Sequence, residues 1–330
     1  MKQPLVSLIT PCYNGESFVH RFLNSVLAQT YESMELIFIN DGSTDRTEEI
    51  VLSYRERFAQ RGLELIYLYQ ENAGQAAAIN KGLEIFKGEY FSWPDSDDWL
   101  TADAVEKKVA FLEAHTECGL VISRILLKNE AMRDIGVIER RQEKEDNYFL
   151  DLITERNAYY APIGNLVRRE VFLAAVPDKR IYESRGGQNW QMLLPIAYHC
   201  HLGYIEETLG YCLVRTGSHS RVVKTKDALL EQVSGYEDVL LHTLESLQPE
   251  GLAAYLRLIQ VKYAKKRLYL GYRFGDKILL KEQRRILQTL DALSARDRLL
   301  YFCGCTGLNR PVNAVRKPLR ALRGFVRDRL

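Results

Sequence analysis

At 330 residues, 46% of them hydrophobic and 27% charged, the chain is long enough for a full-size core plus a further subdomain and has the composition of a folded soluble protein. A net charge of only +2 gives no argument for nucleic acid, and no apolar run approaches the ~20 residues that span a bilayer. The opening "MKQPLVSLITPCYNG" lacks the long apolar stretch and cleavage site of a signal peptide. Cys12, Cys118, Cys200, Cys212, Cys303 and Cys305 show no CxxC spacing and read as buried thiols of a reducing cytoplasm.

In chain order, "LVSLIT" (5–10) reads as a first strand, ended by the turn "PCYNG". Phe18, Val19, Phe22, Leu23, Val26 and Leu27 follow at helical spacing. "ELIFIND" (35–41) is continuous and apolar, as central parallel strands are. Asp45 and Glu48 then form the pattern of a capping box, opening a helix to about Arg61. "LELIYLY" (63–69) is a third strand, and "ENAGQAAAINKGLEIF" supplies a turn and an alanine-rich helix. "EYFSW" (89–93) is a fourth strand, before the helix "TADAVEKKVAFLEAH". This alternation predicts an α/β fold with a mostly parallel, doubly wound, Rossmann-like sheet.

Ligands of such sheets bind at the carboxyl ends of the strands. There "TPCYNGE", "NDGSTD", "ENAGQ" and "PDSDDW" converge on one rim. The first turn holds a single glycine, not G-x-G-x-x-G, so Asp41 lacks the partner that a dinucleotide site requires. In "PDSDDW", Asp95 and Asp97 are one residue apart at a strand end and can face one site. Hard oxygen ligands of this kind select Mn2+ or Mg2+, shared with a substrate's phosphates. An isolated DSDD could equally cap the next helix, with Asp98 or Thr101 as its N-cap; its place on the same rim as Asp41 favours the metal.

Together, "VSLITPCYNGESFVHRFLNSVLAQTYESMELIFINDGSTDRT" and "ENAGQAAAINKGLEIFKGEYFSWPDSDDWL" resemble the family 2 glycosyltransferases, densely over residues 4–123 and loosely beyond. The resemblance implies a GT-A fold and inverting transfer of a sugar from a nucleotide-diphosphate donor, a UDP-sugar first among them, to an acceptor hydroxyl. By position, Thr10, Pro11, Tyr13 and Glu16 correspond to the loop around the base, and Asp41 would take hydrogen bonds from it. Asn72, Gly74 and Gln75 would line the next side, Asp95 and Ser96 would reach the ribose and diphosphate, and Asp97 would hold the metal. Trp93 and Trp99 read as packing rather than sugar platforms.

The rhythm breaks near residue 126, where "LLKNEAMRDIGVIERRQEKEDNY" reads as a polar, variable excursion. "APIGNLVRREVF" (161–172) returns to a strand and a helix. In the family a glycine followed by Glu-Asp then supplies the catalytic base; here the register is Gly187-Gln188-Asn189-Trp190. Amides accept no proton at neutral pH. Glu183, ahead of Asp178, is the expected replacement, while Gln188, Asn189 and Trp190 are expected at the acceptor or sugar pocket. In "YCLVRTGSHSR" (211–221), His219 would contact metal or phosphate.

The expected division is a transferase domain over 1–221, with a nucleotide-binding half (1–125) and an acceptor half (126–221). A helical region follows over 222–330. Its end, 306–330, carries seven Lys/Arg and one Asp, with Val312, Val315, Leu319, Leu322 and Val326 spaced as one helix face. That pattern suits an anionic membrane surface, and equally a helix packed on the protein with its arginines in solvent. No aromatic residues interleave to suggest nucleic acid. The expected enzyme is cytoplasmic or peripheral on the inner membrane face, building a bacterial surface glycan on a glycan or lipid-linked acceptor. Paired amides where the base belongs leave an alternative, a non-catalytic nucleotide-sugar binder or scaffold.

Overall fold

The computed structural model describes residues 3–141, 147–184, 186–215 and 225–307. The chain divides into two compact units: Met1–Leu152 with Asn157–Arg215, and Ile153–Arg156 with Thr216–Leu330. Expectations for His219 and for the basic segment 308–330 lie outside the described residues.

In the first unit, β1 (Val6–Cys12) and β2 (Met34–Asp41) are buried along their whole length, matching their unbroken apolar runs. Between them α1 (Val19–Leu27) turns Val19, Phe22, Leu23 and Val26 inward. The expected helix to Arg61 is two helices, α2 (Thr47–Ser53) and α3 (Arg55–Gln60). They part at Tyr54, whose N–H bonds Val51 O in a tighter three-residue turn. β3 (Glu64–Gln70) and α4 (Gln75–Ile85) follow. At Gly82 a side chain would bring its Cβ within 2.2 Å of Ile9 Cγ2, so the missing side chain lets α4 lie directly on β1.

β4 (Tyr90–Ser92), β5 (Trp99–Leu100), α5 (Ala104–Ala114), β6 (Cys118–Asn129) and β7 (Asp134–Ile138) come next. After them lie α6 (Tyr148–Thr154), a 3-10 turn (Pro162–Gly164), β8 (Asn165–Arg168), α7 (Arg169–Ala175), α8 (Gln188–His199) and β9 (His201–Val214). The strands form one sheet in the order β3-β2-β1-β4-β8-β6-β9-β5, with β7 paired to β6. β1 to β4 are parallel, as expected. Beyond β4 the sheet is mixed: β8 runs antiparallel to both β4 and β6, and β9 lies parallel to β6. The segment read as a variable excursion is largely the β6–β7 hairpin. The register pairs Cys12 with Asn40 and Asp41 with Gln70, so β1, β2 and β3 end on one rim.

The second unit is helical in its described residues: α9 (Lys226–Leu247), α10 (Leu252–Phe274), α11 (Lys277–Thr289) and α12 (Ala295–Thr306). Ala264, Leu268, Tyr272, Leu280 and Leu287 form its buried cluster. The long apolar-periodic runs after residue 225 therefore become helices, as expected. None of the described helices is long and apolar enough to cross a membrane.

Candidate active site

Two turns are laced together at the rim. Asn14 N–H donates to Ser43 Oγ at 2.9 Å, and Asn14 Oδ1 accepts Thr44 N–H at 2.9 Å. Gly15 N–H reaches Thr47 Oγ1 at 2.7 Å. Glu16 N–H donates to Asp45 Oδ2 and the Glu16 carboxylate accepts Arg46 N–H, both at 3.0 Å. Asp45 is therefore a cross-strut that also takes Thr47, and the capping box with Glu48 does not form. Burial pushes the Asp45 carboxyl up, but hydrogen bonds from Thr47 and Glu16 outweigh it and hold the group below its ordinary range. Of the residues expected around the base, Thr10 and Pro11 are buried in β1, whereas Tyr13 is 48% exposed and Glu16 is exposed.

Asp41, at the end of β2, organises the neighbouring turn. Its Oδ1 accepts Gln70 Nε2 at 2.7 Å and Ala73 N–H at 2.9 Å, and its Oδ2 accepts Gly74 N–H at 2.9 Å. Asn72 Nδ2 donates to the Asp41 carbonyl at 3.0 Å. One buried carboxylate thus shapes Asn72 to Gly74 and sets the start of α4.

At the end of β4 the acidic cluster splits into three roles. Asp95 Oδ1 accepts Gln75 Nε2 at 2.6 Å, and Gln75 Oε1 accepts Gln188 Nε2 at 2.7 Å. This relay joins the first residues of α4 and α8 to the cluster. Asp98 is 3% exposed and accepts Cys212 Sγ–H at 2.9 Å and Leu213 N–H at 3.0 Å, which fastens β9 to the loop rather than capping a helix. Ser96 is buried against the Cys12 thiol, whose pKa burial pushes up to about 12. Asp97 pairs with Arg215: its Oδ2 accepts Nη2 at 2.8 Å and Nε at 3.2 Å. The Arg215 guanidinium lies 4.3 Å over the Phe18 ring. Within the chain, the positive partner of Asp97 is thus the guanidinium of Arg215, just past the end of β9.

The model of glycosyl transferase family 2 matches residues 7–174, about half of the chain, including the turns after β1 to β4 but not Gln188 or Arg215. The chain belongs to that family. An uncharacterized glycosyltransferase of Rickettsia typhi is 44% identical over 109 residues, 33% of this chain and 32% of that protein. The matched stretch is therefore about a third of such a relative's length. Among solved structures, S. aureus TarS 1-349 in complex with UDP-GlcNAc superposes with a TM-score of 0.63 at 19% identity, over 90% of this chain and 83% of that one. Mannosyltransferase PcManGT from Pyrobaculum calidifontis, in complex with GDP-Man and Mn2+, gives 0.51 at 18%, over 96% and 89%. At such identities the likeness is one of fold, and that fold is GT-A.

In this member of the family the residues expected at the acceptor pocket separate. Gln188 faces the cluster through Gln75. Asn189 instead ties the core together, its Oδ1 accepting Trp93 Nε1 at 3.1 Å and its Nδ2 donating to Tyr160 O at 3.1 Å. Trp190 is 6% exposed and donates to Leu152 O and Tyr160 Oη, each at 3.0 Å, so packing removes it from any ligand. Trp93 is fully buried. Glu183 accepts Arg180 Nη2 at 2.6 Å and Asn80 Nδ2 at 3.4 Å, which sets it beside the middle of α4. Arg215 was not singled out in the sequence, although it closes the apolar run "YCLV". Among the described residues no cluster of three His, Cys, Asp or Glu side chains could hold a metal ion.

Proposed function

We propose that the protein transfers a sugar from a nucleoside-diphosphate sugar, with UDP-sugars the first donors to try, to a hydroxyl of a glycan or lipid-linked glycan, inverting the anomeric centre. The observation that carries this reading is the rim itself: Asp95, joined through Gln75 to Gln188, and Asp97, paired with Arg215, just after β4 and beside the turn that Asp41 builds. The solved neighbours bound to UDP-GlcNAc and GDP-Man support the donor class.

The donor set fits a divalent cation in its chemistry. Asp95 and Asp97 offer hard carboxylate oxygens, and Asp97 Oδ1 accepts no hydrogen bond among the described residues. Mn2+ or Mg2+ there would offset the charge that grows on the diphosphate as the anomeric bond breaks. The chain's own residues do the rest. Asp41 and Asn72 to Gln75 frame the base side, with Tyr13 and Glu16 across from them. Gln75 holds Asp95 toward the ribose and diphosphate, and Ser96 lies between the acids. The acceptor hydroxyl must lose its proton as it attacks, and Glu183 is the carboxylate proposed to take it. Gln188, an amide, can only orient a hydroxyl. The enzyme is proposed to work in the cytoplasm, on surface glycan, with segment 306–330 against the anionic inner leaflet.

The test is to incubate the purified chain with a panel of nucleotide sugars and Mn2+ and to measure released nucleoside diphosphate. Asp97→Asn should abolish turnover without unfolding the chain, and calorimetry should show donor binding lost in EDTA. Equal affinity in EDTA removes the metal from Asp97. Glu183→Gln should cut transfer to an acceptor by about two to four orders of magnitude while sparing donor affinity. Normal transfer by that variant places the base elsewhere.

A further inference from the structure

The helical unit contains a cavity of about 540 Å3 between α9, α10 and α12 that the transfer reaction does not use. Four cationic side chains line it: Lys262, Lys265 and Lys266 on one stretch of α10, and Arg296 in the first turn of α12. Two carboxylates answer them. Glu155 takes both Lys262, at 3.1 Å, and Lys266, at 2.7 Å. Asp297 already accepts Ser294 N–H and Oγ–H in a capping box, and Lys265 reaches it only at 3.5 Å. Arg296 is exposed and forms no ion pair among the described residues. The lining has Asp297 as its one carboxylate; with Glu155 beside it included, the site holds four positive side chains against two carboxylates.

Such a surplus is costly in a concave site. Burial pushes the Lys262 pKa down to about 8 even though Glu155 opposes the shift. A single carboxylate guest would offset only part of the excess. A phosphate or diphosphate brings two or more charges and several acceptor oxygens, which separate lysine ammoniums and a guanidinium can share. The remaining wall is apolar or aromatic, formed by Val233, Leu270, Leu300 and Tyr269. It suits the stem that carries such a group.

We propose that this cavity in the helical unit is an anion site for a phosphate or diphosphate group borne on an organic stem. The group could arrive on a soluble metabolite or as a lipid headgroup, and the two sources differ in what the apolar wall contributes.

The full-length chain would be titrated calorimetrically with inorganic pyrophosphate and with geranyl diphosphate, in EDTA and at low salt. Both should bind, and Lys265→Ala/Arg296→Ala should weaken both by about tenfold, the scale of two lost charge contacts at a partly wet site. Nucleoside-diphosphate affinity with Mn2+ should be unchanged in that variant, which separates this site from the donor rim. Both substituted side chains reach solvent, so the fold should survive; the single variants Lys265→Met and Arg296→Met provide a second reading. Tighter binding of geranyl diphosphate assigns a lipid source, and equal or tighter binding of pyrophosphate a soluble one; either upholds the site. No heat with either probe, or binding that the substitutions leave unchanged, overturns it.

Discussion

Asp41 is only 4% exposed, yet three donors converge on its carboxylate, two of them backbone amides of the following turn. Hydrogen bonds to a charged acceptor are stronger than neutral ones, and each is expensive to break when buried. Asp41→Asn keeps the shape but swaps one acceptor oxygen for an NH2 group. With Asn Oδ1 still facing Gln70 and Ala73, the new NH2 meets Gly74 N–H, donor against donor. The variant should lose about 1–3 kcal/mol of stability in urea denaturation. Its donor affinity should fall with it, because the turn that frames the base relaxes. Unchanged stability would show that the turn holds without this carboxylate. The same residue also shows how a site can be read from sequence: Asp41, Asp95 and Asp97 stand out because their motifs are local. Arg215 does not, since its partner Asp97 lies 118 residues away and only the folded sheet brings them together.

The turn–helix element at the start of α4 turns on Gly74, with φ 93° and ψ 165°. That combination is essentially reserved for glycine, and other residues held there cost about 1–3 kcal/mol. A Cβ at Gly74 would meet nothing within 4 Å, so Gly74→Ala tests backbone strain without a clash. The expected result is a turn that shifts rather than a chain that unfolds. Donor affinity should drop while the melting curve moves little, as calorimetry and circular dichroism on one preparation would show. Elements of this first half were legible because each strand is a short apolar run closed by its own turn. The second half was less so for physical reasons. β7 is a partly exposed strand paired only to β6, so its residues are mixed in polarity and mimic a loop. β9 is mostly half-buried or exposed from His201 to Glu207 and mostly buried from Leu209 to Val214, with no strict alternation, and earns its strand character from β6, more than 80 residues earlier. For Asn189 and Trp190, only the folded structure reveals their partners: Trp93 and Tyr160 for Asn189, Leu152 and Tyr160 for the buried Trp190.

For the molecule as a whole, charge and burial together set how stability responds to pH. Lys108 on α5 is 2% exposed, its Nζ donates to Ile163 O at 2.8 Å, and burial pushes its pKa down to about 7. A lysine in the unfolded chain titrates at roughly 10.4. Between those two values the unfolded state binds a proton that the folded state has released, so stability rises with pH across that window. Below pH 7 both states are protonated and the buried charge costs its full amount. Above about pH 8.5 ordinary thiol titration sets in. Cys12, buried and pushed up to about 12, then works in the opposite sense. The window to measure is therefore pH 7 to 8.5, where Lys108 should contribute about 1–2 kcal/mol of rising stability. All three tryptophans, Trp93, Trp99 and Trp190, lie in the first unit, so their fluorescence follows the unit that contains Lys108. Lys108→Met should flatten the rise in the denaturation midpoint over that window and be the more stable protein at pH 6.5, although it leaves Ile163 O without its donor. A wild-type midpoint that stays level between pH 7 and 8.5, or a Met variant with the same slope, would mean that Lys108 keeps its proton in the folded state.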